Sequence, residues 1–306
     1  MIRPRALVVV NPAARHGRAE ALWGRVRSEV DSRFEATVVV TDPAGRWKEA
    51  IPPALHSGVR VFVAAGGDGT VHALADGLIR LCDGIPLGDI RLAAVGLGSS
   101  NDFHKPFGLV RSGVPLRLDS DAARPRDLGR VRWVDADGQP RESVLVVSAS
   151  AGVVAEGNDL FARSPLGRRH TGWAIVWAAL RAIVRHRPFP LHVRQEGREE
   201  VIDLSSLSIL KTPWLSGAFR YDIPVRPDDG RFGVGICEAM GRGRLLRTLA
   251  SLAQGRFAGC AGTRCFLTPA LEVSSDAPFL LEIDGEVVLP RRAAFDLRPE
   301  QVLACA

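Results

Sequence analysis

The residues best suited to chemistry lie in four short stretches. Gly66-Gly67-Asp68-Gly69-Thr70 sets three glycines around one carboxylate, between an apolar run and a helix-like stretch. Glycine tolerates positive φ and lets backbone N–H groups approach a ligand, and a following helix N-terminus adds unpaired donors with a partial positive charge. That describes a phosphate cradle. A tight strand–helix turn, with Asp68 or Thr70 capping the helix, is the plain structural alternative, and the loop alone leaves both open. Asp68 repels a phosphate unless a metal ion bridges them or the carboxylate anchors water beside it. Gly98-Ser99-Ser100-Asn101-Asp102-Phe103 brings hydroxyls, an amide and a second carboxylate, although taken alone it is an Asn/Ser/Asp turn. Leu281-Glu282-Ile283-Asp284-Gly285-Glu286 reads as a β-turn between strands. Pro227-Asp228-Asp229-Gly230 is a turn whose carboxylates and carbonyls suit a hard cation.

The elements around these stretches change character along the chain. In the first 130 residues, strand signals at 6–10, 36–40, 58–65 and 91–95 alternate with helical spacing at 18–30 and 70–81. Val71, Leu74, Ala75 and Leu78 fall at i, i+3, i+4 and i+7. The alternation predicts a parallel sheet with helices on both faces and a ligand site beyond the carboxyl ends of its strands, where every glycine-rich loop of this half falls. From about residue 129 the pattern becomes β. Hairpins are expected at 129–134 with 143–148, around Asp137-Gly138, and at 191–194 with 201–204, around Glu196-Gly197. Further strands are expected at 206–211, 232–238, 264–268, 271–274, 279–284 and 293–297, with helices at 172–186 and 242–254. The expected division is an α/β domain over residues 1–129 and a mostly antiparallel β domain over 130–306, whose C-terminal end packs back on the first.

Composition narrows the partners. With 306 residues, 46% hydrophobic and 24% charged, the chain has ample core and exceeds what one core comfortably fills, which excludes disorder and favours two domains. A net charge of +6 suits nucleotides or anionic membranes. The basic residues are spread without a recognised motif, so nucleic acid is not expected. Only Lys48, Lys105 and Lys211 among the 40 basic residues are lysines, a skew that reads as compositional bias. Five scattered cysteines, with no second pair or nearby histidine to complete a zinc site at Cys260 and Cys265, read as reduced thiols of a cytoplasmic protein. The N-terminus reads as a first strand rather than a signal peptide. The longest apolar segment, 173–180, is far short of the roughly 20 residues that span a bilayer. Residues 172–183, with Trp173 and Trp177 and the flanking Arg163, Arg168, Arg169, Arg181, Arg185 and Arg187, read either as an interfacial element at anionic head groups or as a core helix with a solvated rim. There is no Gly-Lys pair, so no Walker A loop, and Asn101 stands where a dinucleotide fingerprint needs its third glycine. H-E-x-x-H, G-x-S-x-G and H-R-D are missing, which excludes the common metalloprotease, hydrolase and protein kinase readings.

Taken in order, Asn11-Pro12, the G-G-D-G-T loop, the G-S-S-N-D-F loop, Asp127-Leu128-Gly129-Arg130-Val131, Asp228-Asp229-Gly230 and the late Asp284-Gly285-Glu286 resemble the diacylglycerol kinase catalytic-domain family over nearly the whole chain. That family includes sphingosine and ceramide kinases and bacterial soluble lipid kinases. The resemblance implies an N-terminal α/β domain like that of NAD kinases and phosphofructokinases, a C-terminal β-sandwich domain for the lipid, and ATP in the cleft between them. It implies nucleotide contacts from Asn11, Thr41, Gly66, Gly67, Asp68, Gly69, Thr70, Val71, His72, Gly98, Ser99, Asn101 and Asp102. It places Asp68, Asp102 and Asp127 in a Mg2+–water network, and a structural cation on Asp229 with the carbonyls of Arg226 and Arg231. Glu286 becomes the general base that takes the proton of a lipid hydroxyl, across the cleft from the catalytic Asp68. It also implies peripheral contact with an anionic membrane and leaves a homodimer open.

The chain departs from the family at several points. Val71-His72-Ala73 stands where the family has [VI]-N-E, Ser99 replaces a threonine and keeps the hydroxyl, and Ala13-Ala14-Arg15-His16-Gly17 replaces a glycine-rich loop. His104-Lys105 replaces Ala-Arg; His104 is read as solvated and Lys105 is left open. Two alternatives stand beside the lipid kinase. An NAD kinase-like enzyme with a soluble substrate shares the G-G-D-G loop. A nucleotide or lipid sensor with a decayed site is kept open by His72 and Ala73, while the retained Asp68, Asp102 and Glu286 argue against it.

Overall fold

The computed structural model describes residues 3–82, 84–135, 137–163 and 171–306, the last from its backbone alone over 171–175. The chain divides into two compact units, Met1–Leu128 with Pro299–Ala306, and Gly129–Arg298.

The first unit is an α/β layer structure. Strands β1 (Arg5–Val10), β2 (Glu35–Val40), β3 (Val61–Gly66) and β4 (Arg91–Gly96) pair in parallel in the order β2-β1-β3-β4. The central runs of β1, β3 and β4 are apolar because both faces are covered, whereas β2 is half exposed. Val8, Val63 and Val95 point to one side, where Val26 and Val30 of α2 (Ala19–Arg33) join them. Val9, Phe62 and Ala64, at the alternate positions, are fully buried as well. The turn α1 (Ala14–Gly17) and the short α3 (Ile51–His56) lie in the connections. Helix α4 (Asp68–Leu81) packs on β3, and the predicted stripe Val71, Leu74, Ala75 and Leu78 is buried. The sheet also has members that the strand–helix rhythm did not announce. The hairpin β5 (Leu109–Arg111) and β6 (Val114–Arg117) adds β6 antiparallel to β4, with Ala94 opposite Arg117. The end of the last strand of the chain pairs parallel to β4, with Leu303 opposite Arg91.

The second unit is antiparallel β. The hairpin β7 (Arg124–Val134) and β8 (Pro140–Leu145) runs in register from Gly129 opposite Leu145 to Val134 opposite Pro140. Next come β9 (Ser148–Gly152), β10 (Phe189–Gln195) and β11 (Arg198–Leu210). The predicted strands 201–204 and 206–211 are one strand, β11, with a bulge between Leu204 and Ser206. Its first half pairs with β10 and its second half lies between β9 and β14 (Phe232–Glu238), so the bulge carries one strand between two layers. The small pair β12 (Trp214–Leu215) and β13 (Phe219–Arg220) precedes β14, and β15 (Thr263–Thr268), β16 (Ala270–Ser274), β17 (Leu281–Ile283), β18 (Glu286–Val288) and β19 (Arg292–Ala304) follow it. Leu191, Val193, Leu207, Ile209, Val234, Val273 and Phe295 meet in the core of this sandwich.

Three helices cover the sandwich: α5 (Val153–Arg163), α6 (Thr171–Arg185) and α7 (Arg242–Ala253). Helix α5 was not anticipated. It opens on two β-branched residues and carries Gly157 and Asn158, all weak helix formers. Packing on α6 and β9 holds it instead. Among the described residues no helix is long and apolar enough to cross a membrane. All five cysteines are free thiols, and burial pushes Cys237 up to about 12.

Candidate active site

The first unit gathers its candidate residues at one edge. Asn11, Thr41, the 66–70 loop and the 98–102 loop follow β1, β2, β3 and β4, so all four sit at the carboxyl ends of neighbouring parallel strands. The two glycine loops lie back to back. A Cβ on Gly98 would stand 2.4 Å from the Gly67 Cα, and one on Gly66 would strike the Thr70 hydroxyl at 2.1 Å. Only glycine permits that approach. The Leu97 N–H donates to the Gly66 carbonyl at 2.7 Å. Asn11 donates from Nδ2 to the Thr70 hydroxyl at 3.1 Å, and its Oδ1 caps the Ala13 N–H.

Asp68 closes this arrangement. Its two carboxylate oxygens accept the N–H groups of Asp102 and Phe103, at 3.0 and 2.9 Å. It thus ties the start of α4 to the 3-10 turn Asp102–His104. Asn101 makes that turn from the left-handed region, at φ 52°, while its side chain bonds the Gly98 N–H and the carbonyls of Gly96 and Gly98. Thr70, Val71 and His72 are all buried. Val71 is part of the core stripe, so only its backbone belongs to the loop.

The neighbours of Asp102 differ from expectation. Lys105, left open by the sequence, pairs with Asp102 at 2.9 Å with both side chains buried. His104 is not solvated: it is 1% exposed, and burial pushes its imidazole down to about 3, with the Arg117 guanidinium adding to the effect. A neutral histidine fits the apolar wall beside Phe103, over whose ring Arg126 stacks at 4.5 Å. Asp127 is buried and accepts from Gln301 Nε2 at 2.6 Å. Among the described residues no three acidic, histidine or cysteine side chains form a metal cage.

The second unit presents its own site at the β17–β18 hairpin. Asp284 and Gly285, at φ 48° and 99°, make the two-residue loop, and Asp-Gly is the pair that such a turn prefers. Glu286 opens β18 and is exposed. Behind it the turn is braced. The buried Asp284 carboxylate accepts the N–H groups of Val146, Val147 and Ser148 at 2.6, 2.8 and 2.8 Å. Glu282 accepts from the Ser150 hydroxyl, Asn158 Nδ2 and the Gly285 N–H at 2.7, 3.1 and 2.7 Å. Burial pushes the Glu282 carboxyl above its ordinary range.

The third expected group does not fit a metal ion. Arg226, Asp229 and Arg231 do converge, but on the ammonium of Lys211, which lies between the Asp229 carboxylate and the two backbone carbonyls. Spacing gave no hint of Lys211, and it gave Lys105 and Glu282 no role although both stand in stretches the motifs contain. The signal that could have found the two lysines is their rarity in an arginine-rich chain. Arg168 and Arg169 lie outside the described residues, as does the side chain of Trp173.

This pairing of a parallel α/β unit carrying two facing glycine loops with an antiparallel sandwich carrying a braced Asp-Gly-Glu turn is a two-part kinase architecture. The sequence matches the diacylglycerol kinase catalytic domain over residues 5–131 and the YegS C-terminal NAD kinase beta sandwich-like domain over residues 147–305. The chain belongs to the diacylglycerol kinase catalytic-domain family of lipid kinases. It is 29% identical to a "Probable lipid kinase YegS-like" of Stenotrophomonas maltophilia over 272 residues, 87% of this chain and 84% of that one. It is 28% identical to a diacylglycerol kinase of Bacillus subtilis over 131 residues, 42% of each chain. The crystal structure of a diacylglycerol kinase from Bacillus anthracis has the same fold, with a TM-score of 0.69 at 15% identity, covering 100% of this chain and 97% of that one.

Proposed function

We propose that the protein is an ATP-dependent lipid kinase that moves the γ-phosphoryl group of ATP to a hydroxyl of diacylglycerol or a related lipid. The observation that carries this reading is the gathering of Asn11, Thr41 and both glycine loops at the carboxyl ends of four adjacent parallel strands, with Asp68 tying the two loops together. The names of the relatives favour a lipid as acceptor. In this reading residues 1–129 bind the nucleotide and 130–306 the lipid. ATP enters with Mg2+, and the N–H groups at the start of α4 face its phosphates. Asp68, Asp102 and Asp127 would hold the water of that ion, which would neutralise phosphate charge, and Ser99 and His72 would contact the nucleotide.

Phosphoryl transfer asks mainly for alignment and charge neutralisation. The lipid hydroxyl oxygen bonds to the γ-phosphorus while the bond from that phosphorus to the β,γ-bridging oxygen breaks, releasing ADP. Glu286 takes the hydroxyl proton. Asp284 and Glu282 hold the turn, so Glu286 pays little entropy to stay in place.

The lipid reaches the protein through α6. Val176, Trp177, Leu180 and Val184 are exposed on it, Arg181 stacks on Trp177 at 5.2 Å, and Arg185 and Arg187 are exposed beside them. Ala178, Ala182 and Ile183 are buried, so the helix is apolar on its outer face as well as its inner one. That pattern favours a face laid on an anionic bilayer. Vesicles rich in anionic lipid should sediment the protein, and Trp177→Ala with Arg181→Ala should leave it in the supernatant.

The test of the activity is thin-layer separation after incubation with labelled ATP and, separately, diacylglycerol, sphingosine or NAD. Label in diacylglycerol supports the reading. Label in NAD instead establishes the soluble-substrate alternative, and ATP binding without transfer to any acceptor establishes the sensor.

A further inference from the structure

Lys211 is 0% exposed and ends in the turn where the family resemblance implies a structural cation. Its ammonium lies 2.7 Å from the Arg231 carbonyl, 3.4 Å from the Arg226 carbonyl and 3.3 Å from Asp229 Oδ1. An ammonium has three N–H donors, and these three oxygens lie within its reach. The same carboxylate also accepts the Arg226 and Arg231 N–H groups, at 2.9 and 3.1 Å, so the turn is wrapped around one largely shielded negative charge, 11% exposed. A buried carboxylate is tolerated only when paired. Here the Lys211 ammonium is the partner, and the Phe232 ring 5.9 Å away adds a further favourable contact.

We propose that Lys211 is the built-in cation of the 226–231 turn, in place of a metal ion, so that the second unit folds and stays folded independently of divalent cations. The ammonium and a metal ion exclude each other. A hard divalent cation needs about six oxygen ligands at roughly 2.0–2.6 Å. It would take its place among the same three oxygens, next to a fixed positive charge with no solvent to screen it. Lysine suits the position where arginine does not. The ammonium is a compact point charge that sits among three oxygens as an ion does, whereas the guanidinium is a planar fork. The chain uses lysine only three times among its 40 basic residues, and this is one of them.

The experiment is thermal unfolding of the full chain without nucleotide, in EDTA and in excess calcium or magnesium. Wild-type melts should superimpose. Lys211→Met leaves Asp229 unpaired and should lower Tm by on the order of 10 °C. Lys211→Ala opens the pocket: calcium should raise its Tm, and Asp229→Asn in the same chain should abolish the rise. Two results overturn the proposal. One is a wild-type Tm that falls in EDTA and is restored by calcium or magnesium, with the restoration lost in Asp229→Asn. The other is a Lys211→Met protein that melts like the wild type. If Lys211→Met does not fold, the wild-type comparison decides alone, because it needs no variant to be stable.

Discussion

Asp68 in the first unit and Asp284 in the second occupy similar Asp-Gly positions and make the same kind of bond, a carboxylate collecting backbone N–H groups from a distant loop. Their settings differ. Asp284 is 4% exposed and collects three N–H groups, and the residue that faces outward is its neighbour Glu286. Asp68 collects two, is only half-buried, and itself stands at the edge where the strands end. One aspartate braces the turn beside the proposed base, and the other is a brace and a proposed catalytic residue at once. A motif match weighs the two alike; burial and partners separate them.

Four substitutions and one pH series would break or sharpen that contrast. Asp68→Ala should take phosphoryl transfer to background with the fold retained by circular dichroism; activity near wild type would leave Asp68 as a brace only. Glu286→Gln should lower turnover about 10²–10⁴-fold while ATP binding, read by calorimetry, is unchanged. Near-normal turnover removes Glu286 as the base. Asp284→Ala orphans three buried N–H groups and should cost about 3–5 kcal/mol in urea unfolding. A loss of activity without loss of stability would move Asp284 into the chemistry. Gly98→Ala pushes a Cβ into Gly67 and should cost about 1–3 kcal/mol along with nucleotide affinity. An intact affinity would mean that the facing loops need not touch.

The smallest effect concerns Glu282. Burial raises its carboxyl above the ordinary 4.5, so the folded protein holds that proton more tightly than the unfolded chain. Its contribution to stability is full below the ordinary value and is lost as pH rises through the raised one. Glu282→Gln has no proton to lose. The Tm of the variant minus that of the wild type should therefore increase as pH rises above 4.5, and a difference that shrinks would reverse the sign assigned to this group.

Much of the architecture was legible from the residues. The valine and alanine runs of β1, β3 and β4 each ended at a loop with chemical character, and the Asp284-Gly285 and Glu196-Gly197 pairs marked hairpins that the structure contains. These are local signals, carried by side-chain period and by residues that accept positive φ. Helix α5 and the single long strand β11 were not legible, and of the C-terminal return the pairing of Leu303 with Arg91 was not. The strand and the pairing are held by partners distant in sequence and α5 by packing on its neighbours α6 and β9, and α5 and β11 run against their own local propensities, with weak helix formers in one and a bulge in the other. The same limit explains His104. A histidine next to a lysine in a polar loop has a solvated pattern, and only the packing of Phe103, Arg117 and Arg126 around it reveals a buried neutral ring.

The lysines show where the division falls. An arginine-rich composition with three exceptions is readable by counting, and it looks like bias. In three dimensions two of those exceptions, Lys105 and Lys211, are buried against aspartates of the motifs, where a compact charge fits. The sequence by itself determined the two layer types and the loops at the strand ends, because these follow from short-range spacing, and its ordered motifs carried the resemblance to the family. The tertiary structure alone decided which carboxylates are braces, which histidine is neutral, and that the Lys211 side chain reaches the Asp229 turn. Those properties depend on burial and on which distant atoms arrive within about 3 Å, and burial sets what a charge costs.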